Sequence, residues 1–259
     1  MAFNKNELIL DKVRSLVAND LSTGQMLFRL TSLEDPSLSC TAEGEEVTDA
    51  IGAVITTLYR AKRAAFSATN SLISLDLAAA QYGTQKEVAT TEGKIVDYTY
   101  EILTIADGAT TVELSHVPSN DVLWIYSIAD GEVGKAYKAG VVSADAFAIE
   151  GKVITLPTGL TGKVYVEYQY EAENAVRVVN NASNFPEACS MIIYAYFRDK
   201  CNENIVYSGK IICPKAKLNP ESVELALTST GKHPFEFTMM KDYCSEEGED
   251  TLFSIIVAE

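Results

Sequence analysis

The side chains best suited to acid–base chemistry in this sequence are its two histidines, His116 and His233. A catalytic histidine needs a nucleophile or a second titratable group within hydrogen-bond reach, and no motif places one beside either residue. The sequence also contains no Gly-x-Ser-x-Gly elbow, His-Glu-x-x-His helix, phosphate-binding loop or dinucleotide-binding loop. We therefore interpret both histidines as structural and expect no enzymatic activity.

Thiols and carboxylates offer a second kind of chemistry, metal binding. Three of the five cysteines, Cys189, Cys201 and Cys213, are spaced twelve residues apart. Zinc ligands usually come as pairs separated by about two to four residues, so this spacing does not favour zinc. The densest acidic run, Glu246–Asp250, lacks the spaced aspartates of a calcium loop, and a solvated loop between strands explains it. We expect no metal and no cofactor, and scattered, reduced thiols that pack as small hydrophobic side chains.

The charge of the chain limits its partners. Thirty-six acidic and twenty-one basic residues give a formal net charge of -15, which opposes binding to nucleic-acid phosphates. The same charge is compatible with a surface along which DNA slides without binding. No apolar run reaches the length of about eighteen residues that a membrane-spanning helix needs, and the first six residues lack a signal-peptide pattern. We expect folding in the cytosol and no membrane partner.

The elements divide the chain into a host domain and an insert. Residues 94–175 alternate short β-rich runs with Asp-Gly, Glu-Gly and Thr-Gly turn signals, a pattern typical of an immunoglobulin-like β-sandwich. Residues 1–93 and 176–259 then form one discontinuous β domain. Trp124, the sole tryptophan, is predicted as a core residue of the insert. The predicted strands of the insert are Ile95–Leu103, Thr111–Ser115, Val122–Ile128, Phe147–Ile149, Val153–Leu156 and Lys163–Tyr170.

The host domain is predicted to combine a sandwich or barrel with two short helices. Apolar residues at mixed three- and four-residue spacings predict an amphipathic helix over Glu7–Val17, and a second helix over Ser71–Tyr82 ends at Gly83. Glu34–Pro36 is predicted as a turn and Glu43–Glu46 as a loop tip. The predicted strands are a long Val54–Thr69, a short Leu38–Ala42, and Met191–Phe197, Asn204–Cys213, Ser222–Leu227, Phe235–Met240 and Leu252–Val257.

One basic cluster stands out in this part of the acidic chain. Arg60, Lys62 and Arg63 lie within the long predicted strand, which exceeds the usual strand length. They either guard a sheet edge against uncontrolled pairing or contact a neighbouring subunit. In the second case, their partners would be the acidic residues of the predicted loop on a neighbour, namely Glu43, Glu45 and Glu46. Both interpretations remain open from the sequence.

Three stretches of the chain resemble the major tail tube proteins of tailed bacteriophages. They are the helix after the long strand (SATNSLISLDLAAAQYG), the insert (DGATTVELSHVPSNDVLWIYSIADGEVGKAYK and ITLPTGLTGKVYVEYQYEAENAV) and the closing segment (NPESVELALTSTGKHPFEFTMMKDYC, then TLFSIIVAE). The resemblance implies a virion protein of the phage tail, made in the bacterial cytoplasm. It further implies six-membered rings that stack into a tube, contacts with other tail proteins, and DNA passing through an acidic lumen. The insert would then lie on the outside of the tube.

Two other classes of protein compete with that interpretation. A capsid decoration or head-completion protein would use the same sandwich to cap a shell without forming tubes. A carbohydrate-binding adhesion module would need an aromatic platform on an exposed face of the insert. Tyr126, Tyr137 and Tyr165 are candidates for such a platform, although tyrosine is also common in strands.

Overall fold

The computed structural model describes residues 7–202, 204–221, 223–225, 231–241 and 251–258. The fold is mainly β, as predicted, with one described helix. The elements in chain order are β1 Leu8–Asp20, β2 Met26–Leu30, β3 Leu33–Thr48, β4 Val54–Asn70, α1 Leu75–Tyr82, β5 Glu87–Val88, β6 Ile95–Thr104, β7 Thr111–Glu113, β8 Trp124–Ala129, β9 Glu132–Ala139, β10 Ala146–Glu150, β11 Val153–Thr155, β12 Lys163–Ala172, β13 Val176–Arg177, β14 Ala188–Asp199, β15 Val206–Leu218, β16 His233–Met239 and β17 Ser254–Ala258.

By its internal contacts the chain divides into two compact units. The host unit comprises Met1–Lys86 and Val178–Glu259, and the insert comprises Glu87–Arg177. The host contains an eight-stranded antiparallel sheet in the order β2-β1-β14-β15-β16-β4-β3, with β17 added beside β15. One face of this sheet carries the core, because apolar side chains alternate inward along β14, β15 and β16. Residues Leu16, Leu77, Met191, Ile193 and Phe237 are completely buried there.

The helix of the host is fixed at both ends by its sequence. The Ser74 hydroxyl accepts a hydrogen bond from the Leu77 N–H at 3.3 Å, which caps the first turn. Gly83 ends the helix with a left-handed φ of 66°, and a Cβ there would lie 2.2 Å from the Phe185 carbonyl oxygen. The predicted end at Gly83 is therefore confirmed. The predicted start at Ser71 is wrong, since the chain first crosses from β4 into a bend before the cap.

The predicted helix at Glu7–Val17 is also wrong, because this segment is strand β1. Its register against β14 shifts between Leu10 and Lys12 and again between Val13 and Ser15. Each shift inserts an extra residue and breaks the two-residue alternation. The apolar residues then fall at the three- and four-residue spacings that had indicated a helix.

Two predicted breaks in the chain lie inside strand β3 instead. Glu34–Pro36 is a bulge against β4, where Asp35 has a positive φ of 48°. Glu43–Glu46 is fully paired strand, with Glu43 opposite Arg60 and Glu46 opposite Thr57. The acidic composition suggested a loop because neither face of this strand segment is buried.

The insert contains a seven-stranded sheet in the order β6-β12-β8-β9-β10-β11-β7. It folds around its own core, in which Ile125, Phe147, Ile154, Val164 and Val166 are completely buried. All six predicted strands are present, and β9 is an additional one. An immunoglobulin-like class for this unit stays a prediction.

Burial decides two smaller predictions about the insert. Trp124 is 45% exposed, so its assignment to the core is wrong. Tyr137 is buried, so it is not part of an aromatic platform on an exposed face. In the predicted strand Ser222–Leu227, residues 223–225 are not in a strand, and the other three lie outside the described residues. The acidic run Glu246–Asp250 lies outside them as well.

Candidate assembly surface

The most unusual surface in the host is the outer half of the β3–β4 hairpin, residues 41–63, which we call the arm. Every residue of the arm except Thr57 is exposed, whereas β4 alternates between buried and half-buried positions as soon as it reaches Ala64. The arm is therefore a two-stranded ribbon with solvent on both faces. An isolated two-stranded hairpin is marginally stable in water, so the arm gains little from its own chain.

The turn at the end of the arm is tightly organised. The Asp49 carboxylate accepts hydrogen bonds from the Ile51 N–H at 3.0 Å and from the Ala53 N–H at 2.8 Å. Gly52 has a φ of 84°, and its N–H donates to the Asp49 carbonyl at 3.1 Å. This geometry holds the Ile51 side chain in solvent, where it is 90% exposed.

Large apolar side chains occupy both faces of the arm. Successive residues of a strand point to opposite faces, so Leu58 lies on one face of the arm and Tyr59 on the other. Val54 and Ile55 lie at a second bulge, where β4 has one more residue than β3. All four are exposed. Gly44, the cross-strand partner of Tyr59, makes room for that ring, because a Cβ at Gly44 would lie 3.3 Å from the Tyr59 Cε1 atom.

The basic cluster and the acidic residues predicted as its partners lie together on the arm. Arg60 pairs with Glu45 at 3.5 Å and Arg63 pairs with Glu43 at 3.6 Å, within the same chain. All four side chains are largely exposed, and ion pairs of this kind contribute about 0–1 kcal/mol. These charges hold the hairpin register weakly and remain accessible to a second chain. Lys62 and Glu46 are on the same ribbon, also exposed.

A bulge marks the base of the arm. Thr41 pairs with Arg63 and Glu43 pairs with Arg60, so β4 has one more residue than β3 in this interval. Ala61, inside the bulge, has a positive φ of 50°. Bulges bend a strand and increase its twist. The bulge thus separates the exposed arm from the part of the hairpin that packs on the host core, a feature that residue patterns alone did not predict.

The groups with potential chemistry are placed elsewhere in the two units. His233 is completely buried, with its Nε2 atom 2.6 Å from the Gln81 Oε1 atom, and its Nδ1 atom accepts from the Ser74 N–H at 3.4 Å. Burial lowers the pKa of His233, so the ring is neutral. It links α1 to β16, as expected of a structural histidine. His116 stacks on the Tyr170 ring of the insert at 4.0 Å between ring centroids.

The cysteines of the described residues fall into two classes. Cys189 and Cys213, the buried thiols, lie in the host core, and burial raises the pKa of Cys189 to about 12 and that of Cys213 to about 11. Cys40 and Cys201 are the exposed thiols, so the prediction that the cysteines pack as small hydrophobic side chains is wrong for these two. Among the described residues, no group of three or more histidine, cysteine, aspartate or glutamate side chains is arranged to hold a metal. Nor does any described helix have the length and apolar character to cross a membrane.

The architecture is that of a mainly β protein with a discontinuous host, an inserted β unit and an exposed hairpin arm. A family model matches residues 8–251, which is nearly the whole sequence, and the chain belongs to the YomU/Tube protein family. The family name indicates a phage-related tube protein, in agreement with the resemblance found in the sequence. A comparison with curated proteins gives no match.

Proposed function

We propose that the chain is a virion structural protein that assembles into stacked, six-membered rings and forms the tail tube of a tailed bacteriophage. The observation that carries this proposal is the arm, a ribbon with large apolar side chains exposed on both faces. Monomeric proteins rarely expose contiguous apolar patches larger than a few hundred Å², and larger patches mark sites of association. The membership of the YomU/Tube family supports the same role.

The host sheet supplies a second kind of contact. Among the described strands, β2, β3 and β17 each have a hydrogen-bonded neighbour on one side only, so each presents a free edge of the sheet. Free edges present unpaired N–H and C=O groups that pair readily with another chain. Contacts between different patches of identical subunits close a ring when the rotation allows it, and they leave two faces on which further rings stack.

The charges suit a conduit better than a DNA-binding protein. A net charge of -15 repels phosphate, so DNA would pass through the lumen without specific binding. The proposed partners are other copies of the chain and other proteins of the virion tail. The proposed role requires no catalytic group and no cofactor.

Negative-stain microscopy of the purified protein across a concentration series, with mass measured by light scattering, tests the proposal. Rings or tubes of uniform diameter that appear as the concentration rises are the expected result. A strict monomer over the whole series would count against self-assembly and favour a decoration protein that caps a shell.

A further inference from the structure

The open face of the insert sheet carries a group of aromatic side chains that its core does not use. They are Tyr98 and Tyr100 on β6, Tyr165 on β12, and Trp124 and Tyr126 on β8, which we call the aromatic face. The inward residues Ile125 of β8 and Val164 and Val166 of β12 are already completely buried in the core of the insert. Tyr98 is 70% exposed, so its ring contributes little to folding. A cluster of exposed aromatic side chains that does not stabilise the fold therefore indicates a binding surface.

The register of the strands gives this face a groove. On the central strand β12, Glu167 lies opposite Tyr100 and Gln169 lies opposite Tyr98. On the other side of β12, Tyr165 pairs with Tyr126 of β8, and Trp124 is two residues before Tyr126. Aromatic walls on β6 and β8 thus flank a polar floor. The cleft has a volume of about 260 Å³, and its lining includes Tyr98, Trp124, Asn120, Asp121, Glu167 and Gln169.

The width of the groove suits a flat ring held between two aromatic side chains. Neighbouring strands lie about 4.8 Å apart, so side chains on β6 and β8 rise from lines separated by about 10 Å. A ring stacked on both walls needs about 7–8 Å, given contacts of about 3.5–4 Å on each side. Tyr100 stacks on Tyr165 with ring centroids 5.6 Å apart, and Tyr126 meets Tyr165 edge-on at 6.2 Å. These contacts hold the rings of Tyr100, Tyr126 and Tyr165 together on the aromatic face beside the groove.

The polar groups select the chemistry of the ligand. The carboxylates of Asp121 and Glu167 accept hydrogen bonds, and the amides of Asn120 and Gln169 both donate and accept. Hydroxyl groups around a sugar ring match this set, while the C–H faces of the ring match the aromatic walls. Two carboxylates repel phosphates and acidic sugars, which excludes a nucleic acid as the favoured occupant. A protein partner fits less well, because the centres of protein interfaces are depleted of charged residues.

We propose that the aromatic face of the insert binds a neutral, hydroxyl-rich glycan, with Tyr98 and Trp124 as stacking walls and Glu167 and Gln169 as hydrogen-bonding groups on the floor. This site lies within one compact unit and uses only described residues. It holds whether or not the chain assembles into tubes. It would give the protein a second activity, attachment to a carbohydrate surface.

The intact chain contains its own reporter, because Trp124 is its sole tryptophan. Titration with dextran, mannan, galactan and chitin oligosaccharides, followed by intrinsic fluorescence and calorimetry, tests binding, with polygalacturonate as the acidic comparison. We expect a fluorescence change with at least one neutral glycan and none with polygalacturonate. The absence of a change with every neutral glycan at millimolar concentration would overturn the proposal, as would preferential binding of polygalacturonate.

Two variants locate the site. Tyr98→Ala removes one wall and Glu167→Gln keeps the shape of the floor but removes its charge. Each is expected to weaken binding by about tenfold or more while the thermal melting curve stays unchanged. Leu72→Ala, which removes a comparably exposed large side chain of the host outside the arm, is the matched control and should bind normally. Unchanged affinity in both groove variants would place the binding elsewhere and refute the assignment.

Discussion

Replacing two apolar side chains at the end of the arm, Ile51→Ser together with Ile55→Ser, is expected to block assembly without unfolding the monomer. Ile51 is 90% exposed and Ile55 is 66% exposed. Neither side chain belongs to the host core. Substitutions at such positions usually change the free energy of unfolding by less than about 0.5 kcal/mol. Any large effect on assembly would therefore come from contacts with another copy.

The size of the effect follows from the exposed surface. Complete burial of an isoleucine side chain contributes about 1.5–3 kcal/mol. Scaled by their exposed fractions, Ile51 and Ile55 together offer about 2–5 kcal/mol to a contact that covers them. Each 1.4 kcal/mol corresponds to about a tenfold change in an equilibrium constant. The concentration at which rings or tubes appear should thus rise between about 25-fold and 4,000-fold.

Sedimentation velocity across a concentration series measures this shift, with circular dichroism melting as the test of folding. Val133→Ser together with Val141→Ser is a matched control, because these residues of the insert are 60% and 92% exposed. The control pair should assemble like the unmodified chain. Normal assembly of the isoleucine variant would refute the role of the arm. An equal loss in the control pair would show that general apolarity, and not the arm, drives association.

Four further outcomes are expected from single positions. Arg63→Glu should impair assembly, because it places a negative charge beside Glu43 on the arm, and it should change the melting temperature of the monomer little. Normal assembly of this variant would indicate that the basic residues protect a sheet edge instead. Gly83→Ala should lower the free energy of unfolding by more than about 1–2 kcal/mol in denaturant titrations, since a left-handed φ and a backbone clash both oppose a Cβ. Because the pKa of His233 is lowered on folding, the free energy of unfolding should be constant above about pH 6.5 and fall by up to about 1.4 kcal/mol per pH unit below it. His233→Gln should remove this pH dependence, whereas His116→Gln should keep it. The buried thiols should resist alkylation until the protein is unfolded, while the exposed thiols react at once.

Local patterns predicted the parts of the fold in which one strand face is buried. The alternation in β12 and β16 follows directly from a core on one side, and both strands were predicted within about two residues of their bounds. The Asp130-Gly131 signal also corresponds to a real hairpin turn, with φ angles of 52° and 85°. Strand β9, which this turn begins, was missed because most of its residues are exposed and show no alternation.

The groove on the insert was harder to predict because it depends on pairing between distant segments. The groove on the insert needs β6, β12 and β8 side by side, and the sequence separates Tyr98 from Glu167 by about seventy residues. Tyr126 and Tyr165 were identified as platform candidates from the sequence, but Trp124 was assigned to the core on the general preference of tryptophan for burial. The register of the sheet decides which face each ring occupies.

The arm shows how an assembly can be inferred from a disagreement between sequence pattern and burial. Apolar residues on both faces of a strand are typical of a strand that is buried on both sides. From Val54 to Tyr59, β4 has this composition, yet both of its faces lie in solvent in the single chain. Selection for monomer solubility would favour polar side chains at these positions. The composition is that expected of a ribbon whose two faces are covered when other copies are present, as the proposed stacked rings would require.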